Sequence, residues 1–261
     1  MESIALALSD SLLANKSSKY RAHGLFGIFA RGAHFSVHGR DRHVSDYAGA
    51  KTQFLFRRVC ELSAAYYEHH DYRRGPAPMT ICEVGFNAGL SSLLLLEAGA
   101  HSRVISFDLG DFTWARSAEA WLRANYSASR FLGVVFVDSS RTLPAFKASH
   151  ADFSCDVMFI DGDKSYEGRR AQLRLMRAMS YPGAHLFFDE ITSQQCMNGS
   201  VPLEHHSREC RTRDALRLGY WPAMQAYDAA TRAGEVKVLQ CAWPRAKRYA
   251  NIDGICEAEF L

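Results

Sequence analysis

The segment TICEVGFNAGLSSLLLL, residues 80–96, joins an apolar strand to an apolar helix through a short turn that contains Gly85 and Gly89. An acid, Glu83, stands two residues before the first of these glycines. In doubly wound sheets, the turn after the first strand is the place where the chain binds its cofactor. The segment therefore predicts an α/β fold with a ligand at this turn.

Strands and helices alternate through most of the chain, which favours a mostly parallel, Rossmann-like doubly wound sheet with helices on both faces. The predicted parallel strands are residues 80–85, 103–109, 133–138, 155–161 and 184–190. Two further strands, 235–243 and 252–260, follow one another closely near the end of the chain. They predict an antiparallel terminal hairpin at or near the edge of the sheet.

The residues before the first strand form a separate pattern. Phe54, Val59, Leu62 and Tyr66 recur at intervals of three to five, which is typical of a helix over residues 44–70. The stretch RRGPAP then interrupts the pattern. We predict an N-terminal helical extension or lid over residues 1–75 and the main domain over residues 76–261.

The composition is that of an ordinary globular chain, and it argues against two classes of partner. Apolar residues make up 48% of the 261 residues, and the net charge is only +3 with scattered basic residues, so nucleic acid is not expected. No apolar stretch is long enough to cross a membrane, and the start of the chain is a poor secretory signal. A weak organelle-targeting segment in the first twenty residues stays open.

The cysteines form an odd set of seven without a CxxC pair. Cys82 and Cys155 stand in apolar strand-like runs, where a free cysteine behaves as a small hydrophobe. We therefore expect neither a disulfide framework nor a zinc site, and a reducing, cytoplasmic location fits best.

Each of the five predicted parallel strands ends in or near an acid. These acids are Glu83, Asp108, Asp138, Asp161 and Asp189. Because the carboxyl ends of parallel strands line one rim of the sheet, the acids should converge on one crevice, where a shared cationic or hydroxyl-rich ligand would relieve their repulsion. The alternative for any single acid is that it caps the helix that follows.

The chemistry of the first three acids indicates an aminoacyl-adenosine ligand. A carboxylate such as Asp108 can accept hydrogen bonds from both hydroxyls of a ribose. Asp138, with Ser139 beside it, could accept a hydrogen bond from an adenine amino group. The acid before the two glycines suits a cationic ligand better than the pyrophosphate of a dinucleotide.

Residues 80–191 resemble class I S-adenosylmethionine-dependent methyltransferases. The stretch FIDGDKSYEG, residues 159–168, is similar to the IDGDHSYEG-like sequence of a group that acts on small molecules. The resemblance implies a seven-stranded sheet and S-adenosyl-L-methionine as cofactor. The cofactor site that it predicts comprises Glu83, Gly85, Asn87, Gly89, Asp108, Asp138, Ser139 and Asp161.

On the acceptor side, the chain resembles the catechol and caffeoyl-CoA O-methyltransferases, which use Mg²⁺ and a lysine base. By this resemblance, Asp161 and Asp189 would bind the metal, with Glu190 where those enzymes have asparagine, and Lys164 would act with Asp161 as a catalytic residue. The sequence leaves open whether a metal assists, and whether the small-molecule acceptor is methylated on oxygen, sulfur or nitrogen. A small carboxylated thioether is one such acceptor.

Other interpretations and further candidates also stay open. An NAD-dependent dehydrogenase and a non-catalytic nucleoside-binding module are the alternatives from other classes, and a homodimer is compatible with the resemblance. The polar loop 192–213, with His205 and His206, could cover the acceptor pocket. His38, Arg40 and His43 could belong to a second lid.

Overall fold

A computed structural model of the chain describes residues 44–69, 78–99, 101–191, 220–242 and 254–261. The helices are α1 (Val44–His69), α2 (Leu90–Ala98), α3 (Thr113–Asn125), α4 (Ser139–Ser149), α5 (Tyr166–Ala178) and α6 (Tyr220–Arg232). The strands are β1 (Met79–Val84), β2 (Ser102–Asp108), β3 (Phe131–Phe136), β4 (Val157–Ile160), β5 (His185–Ile191), β6 (Val236–Ala242) and β7 (Gly254–Phe260).

The strands form one seven-stranded sheet in the order β3-β2-β1-β4-β5-β7-β6. Strands β1 to β5 pair in parallel, whereas β7 runs antiparallel to both β5 and β6. The predicted Rossmann-like fold with an antiparallel terminal hairpin is confirmed, and the hairpin inserts β7 between β5 and the edge strand β6. The strand order reverses between β1 and β4, where such sheets open a ligand crevice.

Two apolar cores, one on each face, explain why the central strands are apolar in almost every position. On one face, α1, α2 and α3 contribute side chains such as Val59, Leu95 and Leu122. On the other face, α4, α5 and α6 contribute side chains such as Leu143 and Met176. None of the described helices is both long and apolar enough to cross a bilayer.

The N-terminal helix α1 packs on this sheet through apolar and charged contacts. Phe54 and Val59 are buried, as their helical spacing predicts. Glu257 of β7 is fully buried and accepts hydrogen bonds from Arg58 of α1 at 2.6 Å and from Gln240 of β6 at 2.7 Å. The imidazole of His185 lies 2.8 Å from the same carboxylate. This network joins α1 to three strands, while the division at residue 75 stays a prediction.

Two disulfides correct the expectation of free cysteines. Cys82 of β1 is bonded to Cys155, with 5.9 Å between their Cα atoms, and Cys241 of β6 is bonded to Cys256 of β7. In both cases neighbouring strands bring the two thiols together. The two cysteines of the first pair are 73 residues apart in sequence. Pairing at that distance cannot be read from cysteine spacing. The cytoplasmic location stays a prediction.

Candidate active site

The sheet register brings four predicted site residues into one row. Val84 of β1 pairs with Phe107 of β2 and with Ile160 of β4, and Ile160 pairs with Phe188 of β5. The residues that follow these partners are Gly85, Asp108, Asp161 and Asp189. The row therefore crosses the point where the strand order reverses, at the carboxyl ends of the central strands.

Gly85 closes the middle of this row. Its φ is +101°, which side chains rarely adopt, and a Cβ atom at this position would lie 2.3 Å from the carbonyl oxygen of Asp161. The backbone of β1 can therefore approach the end of β4 only because residue 85 is glycine. This contact fixes the floor of the crevice.

Glu83 lies beneath the row and does not line the crevice. Its carboxylate is fully buried and accepts hydrogen bonds from Ser106 of β2 at 2.6 Å and from Ser91 and Ser92 of α2. Burial raises the pKa of Glu83, against the opposing effect of the three hydroxyls. The side chain thus fastens the first turn of α2 to β1 and β2. Its predicted place in the cofactor site stays a prediction.

Asp108 is held by the backbone of both adjoining loops. One carboxylate oxygen accepts a hydrogen bond from the Asn87 amide at 2.9 Å, and the other accepts one from the Gly110 amide at 2.7 Å. Asn87 has a φ of +48°, a conformation that asparagine tolerates better than most residues. Its side-chain oxygen accepts a hydrogen bond from Trp114 Nε1 at 2.8 Å. The two loops therefore hold Asp108 in one orientation.

Large apolar side chains surround Asp108 and are open to solvent. Leu109 is 59% exposed, Phe112 47% and Val137 52%. Phe112 stacks on Trp114 with 4.6 Å between ring centroids. Val137 has a φ of +119°, which is strained for a β-branched residue, and its amide donates to the Asp108 carbonyl at 2.9 Å. Strained backbone and exposed apolar side chains together are typical of a ligand site.

Asp138 and Ser139 lie at the start of α4. Asp138 is exposed and caps this helix, because its Oδ1 accepts a hydrogen bond from the Ser140 amide at 2.8 Å. That hydrogen bond lowers the pKa of the carboxyl. Ser139 lies 3.5 Å from the side-chain nitrogen of Gln172. One carboxylate oxygen of Asp138 thus caps the following helix, as the alternative interpretation of the strand-end acids proposed. The contact of Asp138 and Ser139 with adenine stays a prediction.

On the acceptor side, Ser165 rather than Asp161 caps α5. The Ser165 hydroxyl accepts from the Gly168 amide at 3.0 Å, and Asp163 accepts from the Ser165 amide at 2.8 Å. Lys164 is exposed in the turn between these residues. The Asp161 amide donates to the Val84 carbonyl at 2.8 Å, which keeps Asp161 in the row.

Asp189 forms an ion pair with Lys51 of α1, and both side chains are largely buried, at 12% and 17% exposed. The side chain of Glu190 lies outside the described residues. Among the side chains that the structure describes, no three histidines, cysteines or acids lie close enough to hold a metal ion. The predicted metal set of Asp161, Asp189 and Glu190 therefore stays a prediction.

Several residues of the site have no sequence signal. Lys51 lies in a helix far from every motif, and the exposure of Leu109, Phe112 and Val137 follows from the loops rather than from their composition. Trp114 was recognisable only by its position after the second strand. The loop 192–213 with His205 and His206, together with His38, Arg40 and His43, lies outside the described residues.

Comparison with known proteins agrees with this arrangement. Residues 82–191 match a family model described as a methyltransferase domain. A comparison with curated proteins gives no match.

Three solved structures share the fold over nearly the whole length of both chains. An O-methyltransferase from Bacillus cereus in complex with SAH is 16% identical, covers 98% of this chain and 97% of its own, and has a TM-score of 0.59. Cofactor-bound Rv0187 from MTB is 18% identical, with coverages of 97% and 94% and a TM-score of 0.60. The O-methyltransferase TomG from Streptomyces achromogenes, involved in tomaymycin synthesis and in complex with SAM, is 15% identical, with coverages of 99% and 96% and a TM-score of 0.60.

Residues 82–191 thus match a methyltransferase domain, and the sheet order and the glycine turn of this chain agree with that match.

Proposed function

We propose that the protein transfers a methyl group from S-adenosyl-L-methionine to a hydroxyl group of a small molecule. The observation that carries this proposal is the row of Asp108, Gly85, Asp161 and Asp189, which divides the crevice into two sides of different chemistry. The β2 side combines an acid with exposed apolar side chains. The β5 side combines acids with Lys51 and Lys164.

The β2 side fits a nucleoside. Asp108 is fixed by two backbone amides, and as a carboxylate it has further lone pairs for the hydroxyls of a ribose. Leu109, Phe112 and Val137 offer apolar surface for a flat base. We assign Asn87, Asp138 and Ser139 to the same side, Gly85 and Gly89 to the methionine end, and Glu83 to support of the turn.

When bound, S-adenosyl-L-methionine supplies an electrophilic methyl group on a sulfonium, so that an acceptor oxygen gains the methyl while the electron pair of the broken carbon–sulfur bond stays on sulfur. A hydroxyl is a far better nucleophile once it has lost its proton. In our proposal, Lys164 is the general base that takes that proton. Asp161, three residues earlier, orients the lysine and the acceptor.

A divalent ion fits the described residues poorly. Magnesium requires oxygen ligands in octahedral geometry, yet the carboxylate of Asp189 already pairs with the ammonium of Lys51. Two unit charges 4 Å apart interact with about 4 kcal/mol at an effective dielectric constant near 20, so that a divalent ion beside this ammonium would face roughly twice that repulsion. The proposed transfer therefore does not depend on Mg²⁺.

The experiment that tests the proposed function has two parts. Calorimetry with S-adenosylhomocysteine and with NAD should give heat for the former, and a dehydrogenase would show the reverse. A screen of phenols, thioethers and amines for release of S-adenosylhomocysteine then identifies the acceptor atom. Methylation of a thioether or amine alone would contradict the O-methyltransferase proposal, and binding without turnover on any acceptor would favour a binding module.

Lys164→Ala tests the base. We expect kcat to fall by about 10²-fold or more, because general base catalysis contributes about 10²–10⁴-fold, while the affinity for S-adenosylhomocysteine stays unchanged. Lys237→Ala, on the edge strand β6, is the matched control, because the side chain of Lys237 is 61% exposed and forms an ion pair with Glu259 of β7. Full turnover in Lys164→Ala would exclude the base role.

A further inference from the structure

We propose that Lys51 supplies the positive charge of the acceptor site, in the position that a divalent metal would otherwise occupy beside Asp189. This inference rests on the proposed function and deepens it. It assigns a positioning role to a residue of the N-terminal helix, which contains none of the cofactor-binding motifs.

The first support is the way in which α1 lies against β5. Phe54 of α1 contacts Phe187 of β5 edge-on, with 6.3 Å between ring centroids. Lys51 lies one turn before Phe54, and Asp189 lies two residues after Phe187, on the same face of the sheet. The two contacts are therefore consecutive along one helix–strand interface. The buried aromatic pair holds the Lys51 side chain at the carboxyl end of β5.

The second support is the position of Asp189 relative to Asp161. Phe159 of β4 pairs with Phe187 of β5, so that Asp161 and Asp189, each two residues further on, reach the same level at the ends of the two strands. Neighbouring strands are about 4.8 Å apart, which is close enough for two carboxylates to repel each other strongly. The ammonium of Lys51 offsets this repulsion without a metal. In this proposal, an acceptor oxygen between Asp161 and Asp189 lies beside the same ammonium.

A fixed ammonium selects a different acceptor from a metal. A divalent ion in such a site can bind two oxygens of one chelating acceptor, whereas an ammonium can pair with a single anionic oxygen. We therefore expect the acceptor to carry one acidic hydroxyl, as in a simple phenol, and we expect no requirement for a vicinal pair of hydroxyls. The positive charge would orient the oxyanion and favour its formation.

The test compares the wild-type protein with Lys51→Met, Lys51→Arg and the control Arg57→Met. Arg57 lies on the same helix but is 66% exposed and pairs with Glu61, so its replacement reports any general effect on α1. We expect wild-type turnover to be unchanged in EDTA. In Lys51→Met, kcat should fall by about 10²-fold with unchanged affinity for S-adenosylhomocysteine, and Lys51→Arg should recover part of the loss.

A second readout does not depend on finding the acceptor. Titration with Mn²⁺, followed by electron paramagnetic resonance, should show binding at least tenfold tighter in Lys51→Met than in the wild type, because Asp189 then loses its ammonium. Equal Mn²⁺ affinity in the two proteins, loss of wild-type turnover in EDTA, or full turnover in Lys51→Met would each overturn the role of Lys51. Absence of methylation by the wild type on every acceptor would instead contradict the proposed function, and the Mn²⁺ comparison would still decide the charge role.

Discussion

Glu83 and Asp108 stand near the ends of adjacent strands, yet their carboxylates meet opposite surroundings. Glu83 is enclosed by three serine hydroxyls, whereas Asp108 is held by two backbone amides at the edge of the crevice. The register of β1 and β2 explains the difference. Glu83 pairs with Ser106, two residues before Asp108, so Glu83 lies below the row whereas Asp108 belongs to it. A carboxylate therefore fastens a helix in one case and lies at the edge of the crevice in the other.

Replacement of Asp108 tests the nucleoside side. We expect Asp108→Ala to weaken S-adenosylhomocysteine binding by about 10- to 100-fold, since hydrogen bonds to a charged group contribute about 1.5–3 kcal/mol. Isothermal titration calorimetry measures the change, and Asp152→Ala, an exposed acid in the turn after α4, serves as the control. An unchanged dissociation constant in Asp108→Ala would remove this residue from the cofactor site.

At the residue scale, the sequence predicted the acids of the row but not their partners. Glycines and acids after apolar strands mark the crevice because parallel strands end at one rim. Lys51 could not be found in this way, because it precedes its partner Asp189 by 138 positions in the sequence (189 − 51). Ser165 was equally hidden, because the capping alternative concerned only the acids at the strand ends, such as Asp161.

At the scale of elements, the position of α1 depends on a buried charge network rather than on apolar packing alone. Glu257 of β7 contacts Arg58 of α1, His185 of β5 and Gln240 of β6. Elements that are remote in sequence thus meet at one carboxylate. The strands themselves were predictable from two-sided apolar runs, but the insertion of β7 between β5 and β6 follows from pairing that no local pattern indicates.

The network predicts a specific dependence of stability on pH. Burial raises the pKa of Glu257, but hydrogen bonds from His185, Arg58 and Gln240 outweigh it and lower the pKa to about 2, from an ordinary value of 4.5. Because the unfolded chain binds this proton at higher pH than the folded one, stability is fully present above pH 4.5 and is lost as the pH falls towards 2. The loss should amount to roughly 3 kcal/mol.

Glu257→Gln checks this assignment. The variant should be less stable than the wild type at pH 7, because Arg58 loses the negative charge of its partner, and its stability should depend less on pH between 4.5 and 2. Urea unfolding at several pH values measures both effects. Glu259→Gln provides the control, because Glu259 lies two residues further along β7, is 26% exposed and pairs with Lys237. Parallel stability curves for the Glu257→Gln variant and the wild type would assign the acid sensitivity to other groups.

At the scale of the whole molecule, the sheet separates the two apolar cores, and the active-site row lies where its strands end. The disulfide joins Cys82 of β1 to Cys155, two residues before β4, and β1 and β4 are the two strands that flank the point of reversal. Both cysteines are buried in the same core as Val84 and Met158. The covalent bond therefore lies beneath the crevice and joins the strands that form its floor.

Reduction of this disulfide should lower stability more than reduction of the second one. In the loop-entropy model, a bond that closes 73 residues contributes about 4 kcal/mol, and one that closes 15 residues about 3 kcal/mol. Unfolding in urea with and without dithiothreitol measures the difference, and peptide mapping of the unreduced protein should recover a Cys82–Cys155 cross-link. Cys155→Ala should remove most of the effect of dithiothreitol, whereas Cys60→Ala should keep it, because Cys60 is a free thiol. If peptide mapping instead finds both Cys82 and Cys155 alkylated, these cysteines are free thiols, as their apolar surroundings in the sequence first suggested.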